Sequence, residues 1–134
     1  MPDTGIGSAV RRTEDYRFLT GSGHYTDDIN RHGQTYAWFL RSPHAHAKIT
    51  RIDTTAARKA PGVIAVYTGA DTAADKVGGL ICGWVVKDKH GVPHKAPGHP
   101  VIALDTVRHV GDQVAVVIAE TQAQARDAAE LIEV

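Results

Sequence analysis

The sequence predicts an α+β fold, and three observations carry that expectation. Apolar stretches of strand length recur along the chain, as in YAWFL, VIAVY and VAVVIA. Only two stretches combine a helix cap with helical spacing, DTTAARKAPG and TQAQARDAAELI. Glycine and proline punctuate the intervals between these runs. Strands of period two mixed with a few helices of period 3.6 are the pattern of an α+β domain.

The elements follow in order. Residues 1–20 are unpatterned and include the charged cluster Arg11, Arg12, Glu14, Asp15 and Arg17, so they are expected to form an extended arm. Residues 21–134 are expected to be a single domain, opening with a turn at Gly21 and Gly23. In the run 35–41, Tyr36, Trp38 and Leu40 alternate onto one strand face. Ser42-Pro43 ends that strand, because proline has no N–H for the ladder. A second strand is expected over about 45–52. A short helix follows, capped by Asp53 or Thr54 and stopped by Pro61-Gly62.

The run 63–68 reads as a third strand closed by Gly69. From about 76 to 100 glycine, proline, lysine and histidine accumulate around one apolar island, LICGWVV, which predicts a long variable loop with at most one strand. VIALDTVRHVGDQVAVVIAE then reads as strand, kink, strand, turn at Gly111-Asp112, and a central strand that is apolar on both faces. Thr121 and Gln124 form a capping-box pair at the start of the last helix. Ala125, Ala128, Ala129 and Ile132 make its apolar stripe. The order arm–β–β–α–β–loop–β–β–α describes a sandwich of a mixed sheet and two helices.

Bulk composition excludes several functions. The chain has 134 residues, a single-domain length, and its 43% hydrophobic content is that of a folded protein. Fifteen basic and fifteen acidic residues cancel and are interspersed, leaving no stripe for nucleic acid and no polybasic segment for a membrane. One cysteine, Cys82, cannot form an internal disulfide or supply an iron–sulfur cluster. The N-terminus lacks the apolar core of a signal peptide, and the longest apolar run, 114–119, is far too short to span a bilayer. A cytoplasmic chain is expected.

Candidate chemistry is sparse. His44 and His46 would share a strand face and offer two imidazoles to one ion. However, Lys48 lies on that same face, where its charge opposes a cation, and Pro43 puts His44 in a corner. His90, His94 and His99 are spaced for one helix face, but Gly91, Pro93, Pro97 and Gly98 forbid a helix, so an exposed histidine-bearing loop is expected. The GIG at 5–7 and TGSG at 20–23 lack the strand–loop–helix setting and the Lys-Ser/Thr of a phosphate loop. Asp27-Asp28 suits a turn or cap better than acid–base chemistry, and Cys82 is expected to be a buried, inert thiol. By residues alone the chain is an α+β domain with no catalytic constellation, and a free-standing histidine-loop metal-binding module is the alternative function they leave open.

Three long strings carry a more specific message. RRTEDYRFLTGSGHYTDDI, LRSPHAHAKITRIDTTAARKAPGVIAVYTGAD and VRHVGDQVAVVIAETQAQARDAAELIEV resemble, in that order, the N-terminal region of molybdenum hydroxylase large subunits. These are the xanthine dehydrogenase, aldehyde oxidase and aerobic carbon monoxide dehydrogenase family. The resemblance runs from about Val10 to Val134 and is weakest between Asp75 and His99. It implies an α/β-hammerhead domain and a parent oxidoreductase that uses molybdopterin, often as the cytosine dinucleotide. It also implies 2Fe-2S clusters and FAD on other domains or subunits.

The family's cofactor-holding residues and glutamate base belong to later domains and match no position here. No catalytic, cofactor-binding or metal residue is therefore carried over, and His44 and His46 are expected to be scaffold. Because the sequence ends at ELIEV where family members continue, an excised or naturally split domain is expected, not catalytic alone. Its implied partners are the remaining molybdopterin-binding domains and the iron–sulfur and flavin subunits. Tyr16, Phe18, Leu19, Tyr25, Trp84 and Val85 are the expected docking residues, since a small core cannot absorb them all. The parent's substrate and the role of His90, His94 and His99 are not specified by these strings.

Overall fold

The computed structural model describes residues 5–9, 11–81 and 83–134. The chain divides into two compact units, Met1–Gln34 and Thr35–Val134.

In the first unit the expected extended arm contains a helix, α1 (Asp15–Leu19). The charge cluster explains the departure. Arg12 pairs with Asp15 at 2.9 Å and Arg17 with Glu14 at 3.1 Å, both across the i,i+3 spacing that a helical turn closes. A 3₁₀ turn follows at Thr26–Asp28, where Asp28 Oδ2 accepts from Tyr25 N at 2.8 Å. The Phe18 and Tyr25 rings stack with centroids 5.5 Å apart.

The second unit holds β1 (Tyr36–Arg41), β2 (Ala47–Lys48), α2 (Thr55–Arg58), β3 (Val63–Thr68), α3 (Gly69–Ala74), β4 (Thr106–Val107), β5 (Gln113–Ala119) and α4 (Gln122–Ala129). One sheet has the order β1-β5-β3, and β2 pairs with β4 in a second. The sequence predicts a mixed sheet, but both sheets are antiparallel. The central place of the VAVVIA strand is as expected. The second strand is far shorter than 45–52, because its partner β4 offers only two residues to pair with.

The three-stranded sheet has two unlike faces. Trp38, Val117 and Val66 lie in one row across it, and Val117 and Val66 are fully buried. On this side Ala128, Ala129 and Ile132 of the predicted stripe close the core together with Ala57 and Ala115, and Ala125 of the same stripe is fully buried. Alanines let α4 lie close to the strands. Thr121 Oγ1 caps α4 by accepting from Gln124 N at 3.2 Å. The reciprocal half of the box differs from expectation, since Thr121 Oγ1 itself donates to Gln124 Oε1 at 2.9 Å. A smaller cluster, Ala103, Val107 and Val114, joins the two sheets, and Ile52 packs against both clusters.

On the opposite face one row across the sheet is Phe39, Val116 and Tyr67, and here Phe39 and Tyr67 are each 42% exposed. The sheet thus buries one face and leaves an apolar opposite face in solvent.

Gly69 does not merely end β3, as expected, but begins α3. Thr68 and Asp71 supply the missed cap: both Thr68 N and Thr68 Oγ1 donate to Asp71 Oδ2 at 2.7 Å. A Cβ on Gly69 would stand 2.2 Å from the Ala103 carbonyl oxygen, so the close approach of α3 to residues 103–104 needs glycine. Residues 76–100 form the expected long loop. Among the described residues it contains isolated bridges, Leu80 to His99 and Lys87 to Pro93, and no strand.

Candidate functional site

His44 and His46 do not share a strand face. Both precede β2, and both are exposed. The turn that carries them is held by Ser42, which is buried: its N–H donates to the Asp112 carbonyl at 2.9 Å, and its Oγ accepts from His44 N at 3.0 Å. His44 borders a cavity of 420 Å³ that is also lined by Arg41 and Lys48. Two cations beside it oppose binding of a metal ion there.

The predicted loop histidines are not brought together. Asp88 organises the loop tip by accepting at Oδ1 from His90 N (2.8 Å) and Val92 N (2.9 Å). His94 bonds across the loop instead, its Nδ1 accepting from Val86 N at 3.0 Å. His99 lies elsewhere, its carbonyl accepting from Leu80 N at 2.7 Å. Gly7 and Gly21 occupy left-handed turns, and Asp28 caps a turn as expected. Cys82 lies outside the described residues.

What the loop brings together instead is His99, His109 and Asp112, whose ligand atoms all lie within 4.8 Å of one another. It is the only such group of three among the described residues. The turn between β4 and β5 sets it up. Gly111 has φ +90°, which lets residues 109–112 close with Asp112 N donating to the His109 carbonyl at 3.2 Å. Asp112 is buried, and its Oδ2 accepts from Arg108 N at 2.9 Å. Oδ1 faces His109 Nε2 at 3.9 Å. The His99 and His109 rings are 13° from parallel with centroids 5.8 Å apart, and both side chains are exposed. Reading the sequence for i,i+3 pairs across a glycine turn would have found His109 and Asp112. His99 arrives only by the closure of a long loop.

Two carboxylates elsewhere are perturbed. Hydrogen bonds from the Thr68 side chain and backbone hold Asp71 below the usual carboxylate range, with Arg58 assisting. The Thr55 backbone N–H does the same for Asp53. Both are helix-start devices rather than catalytic acids. Among the described residues, no helix is long and apolar enough to cross a membrane.

Comparison with known proteins agrees with the geometry. Residues 20–134 match the model of the aldehyde oxidase and xanthine dehydrogenase a/b hammerhead domain. The nicotine 6-hydroxylase large subunit of Paenarthrobacter nicotinovorans is 46% identical over 95% of this chain, which corresponds to 15% of that protein. The carbon monoxide dehydrogenase large chain of Afipia carboxidovorans is 38% identical over 97% of this chain, again 15% of its own length. In the crystal structure of quinoline 2-oxidoreductase from Pseudomonas putida 86, a segment covering 96% of this chain and 16% of that one superimposes with a TM-score of 0.79 at 40% identity. The chain thus spans about a sixth of the relatives it matches. It belongs to the aldehyde oxidase and xanthine dehydrogenase family of molybdenum hydroxylases, as the a/b hammerhead domain of the large subunit.

Proposed function

We propose that this chain is a structural and interface domain, which docks onto the molybdopterin-binding remainder of a large subunit and leaves catalysis to it. The observation that carries the reading is the outer sheet face, where Phe39, Val116 and Tyr67 line up across three strands with Phe39 and Tyr67 well exposed. An antiparallel sheet that stands alone normally turns polar side chains to solvent on its open face. Apolar side chains there mark a surface made to be covered. Of the residues expected to dock, Tyr16, Leu19, Tyr25, Trp84 and Val85 are also exposed, and Phe18 is half-buried under its own neighbours.

Among the described residues, none supports a molybdopterin seat: a phosphate-bearing pterin needs buried donors directed at it, and the buried polar side chains described, Ser42 and Asp112, are already bonded within the β1 and β4–β5 turns. The cofactor therefore belongs to the remaining domains in this reading, and the iron–sulfur and flavin groups to other domains or subunits. Residues 1–20 act as an arm to the hammerhead domain at 21–134.

The test supplies this chain in trans to the nicotine 6-hydroxylase large subunit from which the matching segment has been deleted. Co-elution and a raised melting temperature of both pieces are expected, because binding to the folded state stabilises it. If that subunit's own excised segment docks and this chain does not, the reading is wrong.

A further inference from the structure

We propose that His99, His109 and Asp112 bind a divalent transition-metal ion, with Zn²⁺ the best match, and so clip the 76–100 loop to the β4–β5 turn. Two imidazoles and one carboxylate are a donor set for Zn²⁺ and its neighbours rather than for Mg²⁺ or Ca²⁺, which take oxygen ligands.

The spacing is that of ligands around one ion. His109 Nε2 and Asp112 Oδ1 are 3.9 Å apart, too far for a hydrogen bond. Zinc–ligand distances of about 2.0–2.2 Å place two ligands roughly 3.4 Å apart at a tetrahedral angle and up to about 4.2 Å when opposed. All the ligand atoms lie within 4.8 Å of one another, and turning one histidine ring out of the 13° stack brings both imidazole lone pairs to a shared ion.

The orientation is also set from behind. His109 Nδ1 lies 3.3 Å from the Val110 carbonyl. When Nδ1–H donates there, the Nε2 lone pair points toward Asp112. A backbone carbonyl commonly fixes a ligating histidine in this way. Asp112 is fixed in turn, since Oδ2 accepts from Arg108 N and Oδ1 remains on the histidine side. The exposure of both histidines leaves a fourth position for water. His99 is bonded through its carbonyl to Leu80, so an ion held by His99 and His109 ties both ends of the loop to the sheet. The proposal is independent of docking and concerns the chain on its own.

The experiment titrates chelator-treated protein with Zn²⁺ by calorimetry and with Co²⁺ by visible absorption. Saturable binding of one equivalent and a tetrahedral Co²⁺ spectrum are expected. His99→Gln and His109→Gln should each weaken Zn²⁺ at least about tenfold, the lower end of what even outer-shell partners contribute. Both side chains are exposed, so the variants should melt as the metal-free parent does. Asp112→Asn retains an acceptor for Arg108 N and should also weaken binding. Absence of saturable binding overturns the proposal. So does binding that survives His99→Gln and His109→Gln, or that is lost only in a His90→Gln/His94→Gln double variant.

Discussion

Replacing Gly69 by alanine tests whether α3 and the segment before β4 are seated as described. The added Cβ would lie 2.2 Å from the Ala103 oxygen and 2.7 Å from Leu104 Cα, where real Cβ contacts stay above 3.0 Å. The Ala103 carbonyl must therefore retreat by at least 0.8 Å, the difference between 3.0 and 2.2 Å. It cannot retreat freely. Ala103 is buried and its N–H donates to the Gln113 carbonyl at 2.8 Å, at the start of the central strand. Overpacking against fixed backbone costs about 3 kcal/mol, the upper part of the usual range. For a unit of this size that lowers the melting temperature by roughly 12–24 °C at about 4–8 °C per kcal/mol. Thermal unfolding followed by circular dichroism reads the shift. Gly78, which has nothing within 4 Å of its virtual Cβ, is the control, and Gly78→Ala should melt close to the parent. If Gly69→Ala also melts within about 2 °C of the parent, less than 1 kcal/mol by the same conversion, the close approach of α3 is wrong.

Other outcomes follow from the same architecture. Val117→Ala removes two fully buried methyl groups from the central strand and should cost about 2–3 kcal/mol in chemical denaturation, transfer and cavity terms together. A loss under about 0.5 kcal/mol would place that residue outside the core. The Asp71 carboxylate is held below its ordinary value, so its contribution is full above the unfolded pKa of about 3.9 and disappears as pH falls through the lower folded value. Melting temperature measured from pH 6 to pH 2 should fall less steeply on the acid side in Asp71→Asn than in the parent, and identical acid limbs would contradict the Thr68–Asp71 cap. His44→Gln/His46→Gln, two exposed positions on a turn held by Ser42, should leave the melting temperature unchanged within about 2 °C, as surface changes do.

The parts legible in the sequence are those whose determinants are local. The α4 stripe and its Thr121 cap lie within one dozen residues, and β1, β3 and β5 announce themselves by β-branched and aromatic runs. Strand direction and length are different, because they depend on a distant partner. Nothing near residues 45–52 says that β4 will offer only two residues to pair with, so β2 was expected to be longer than it is. Gly69 reads as a stop from its own identity, while the Thr68-to-Asp71 spacing that starts α3 is a weak pattern on a helix of six residues.

The outer face posed a further difficulty. Because Phe39, Val116 and Tyr67 are apolar, alternation alone could not tell the buried face from the open one. The histidine cluster was illegible for a different reason, a contact made far along the chain. His109 and Asp112 are near in sequence, but His99 is delivered by a loop whose path is set by its Leu80 bridge.

The central claim is that the domain works by docking through its uncovered sheet face. The measurement that tests it most directly is the affinity of this chain for the segment-deleted nicotine 6-hydroxylase large subunit, compared with a Phe39→Lys/Tyr67→Lys variant. Both side chains are exposed, so the variant should fold as the parent does. The account predicts a stable complex for the parent and at least about a hundredfold weaker binding for the variant, as expected when two aromatic anchors costing more than about 1 kcal/mol each are lost and two charges are buried. Equal affinities would place the interface elsewhere on the domain. No complex with this chain, while the subunit's own segment binds, would contradict the docking account altogether.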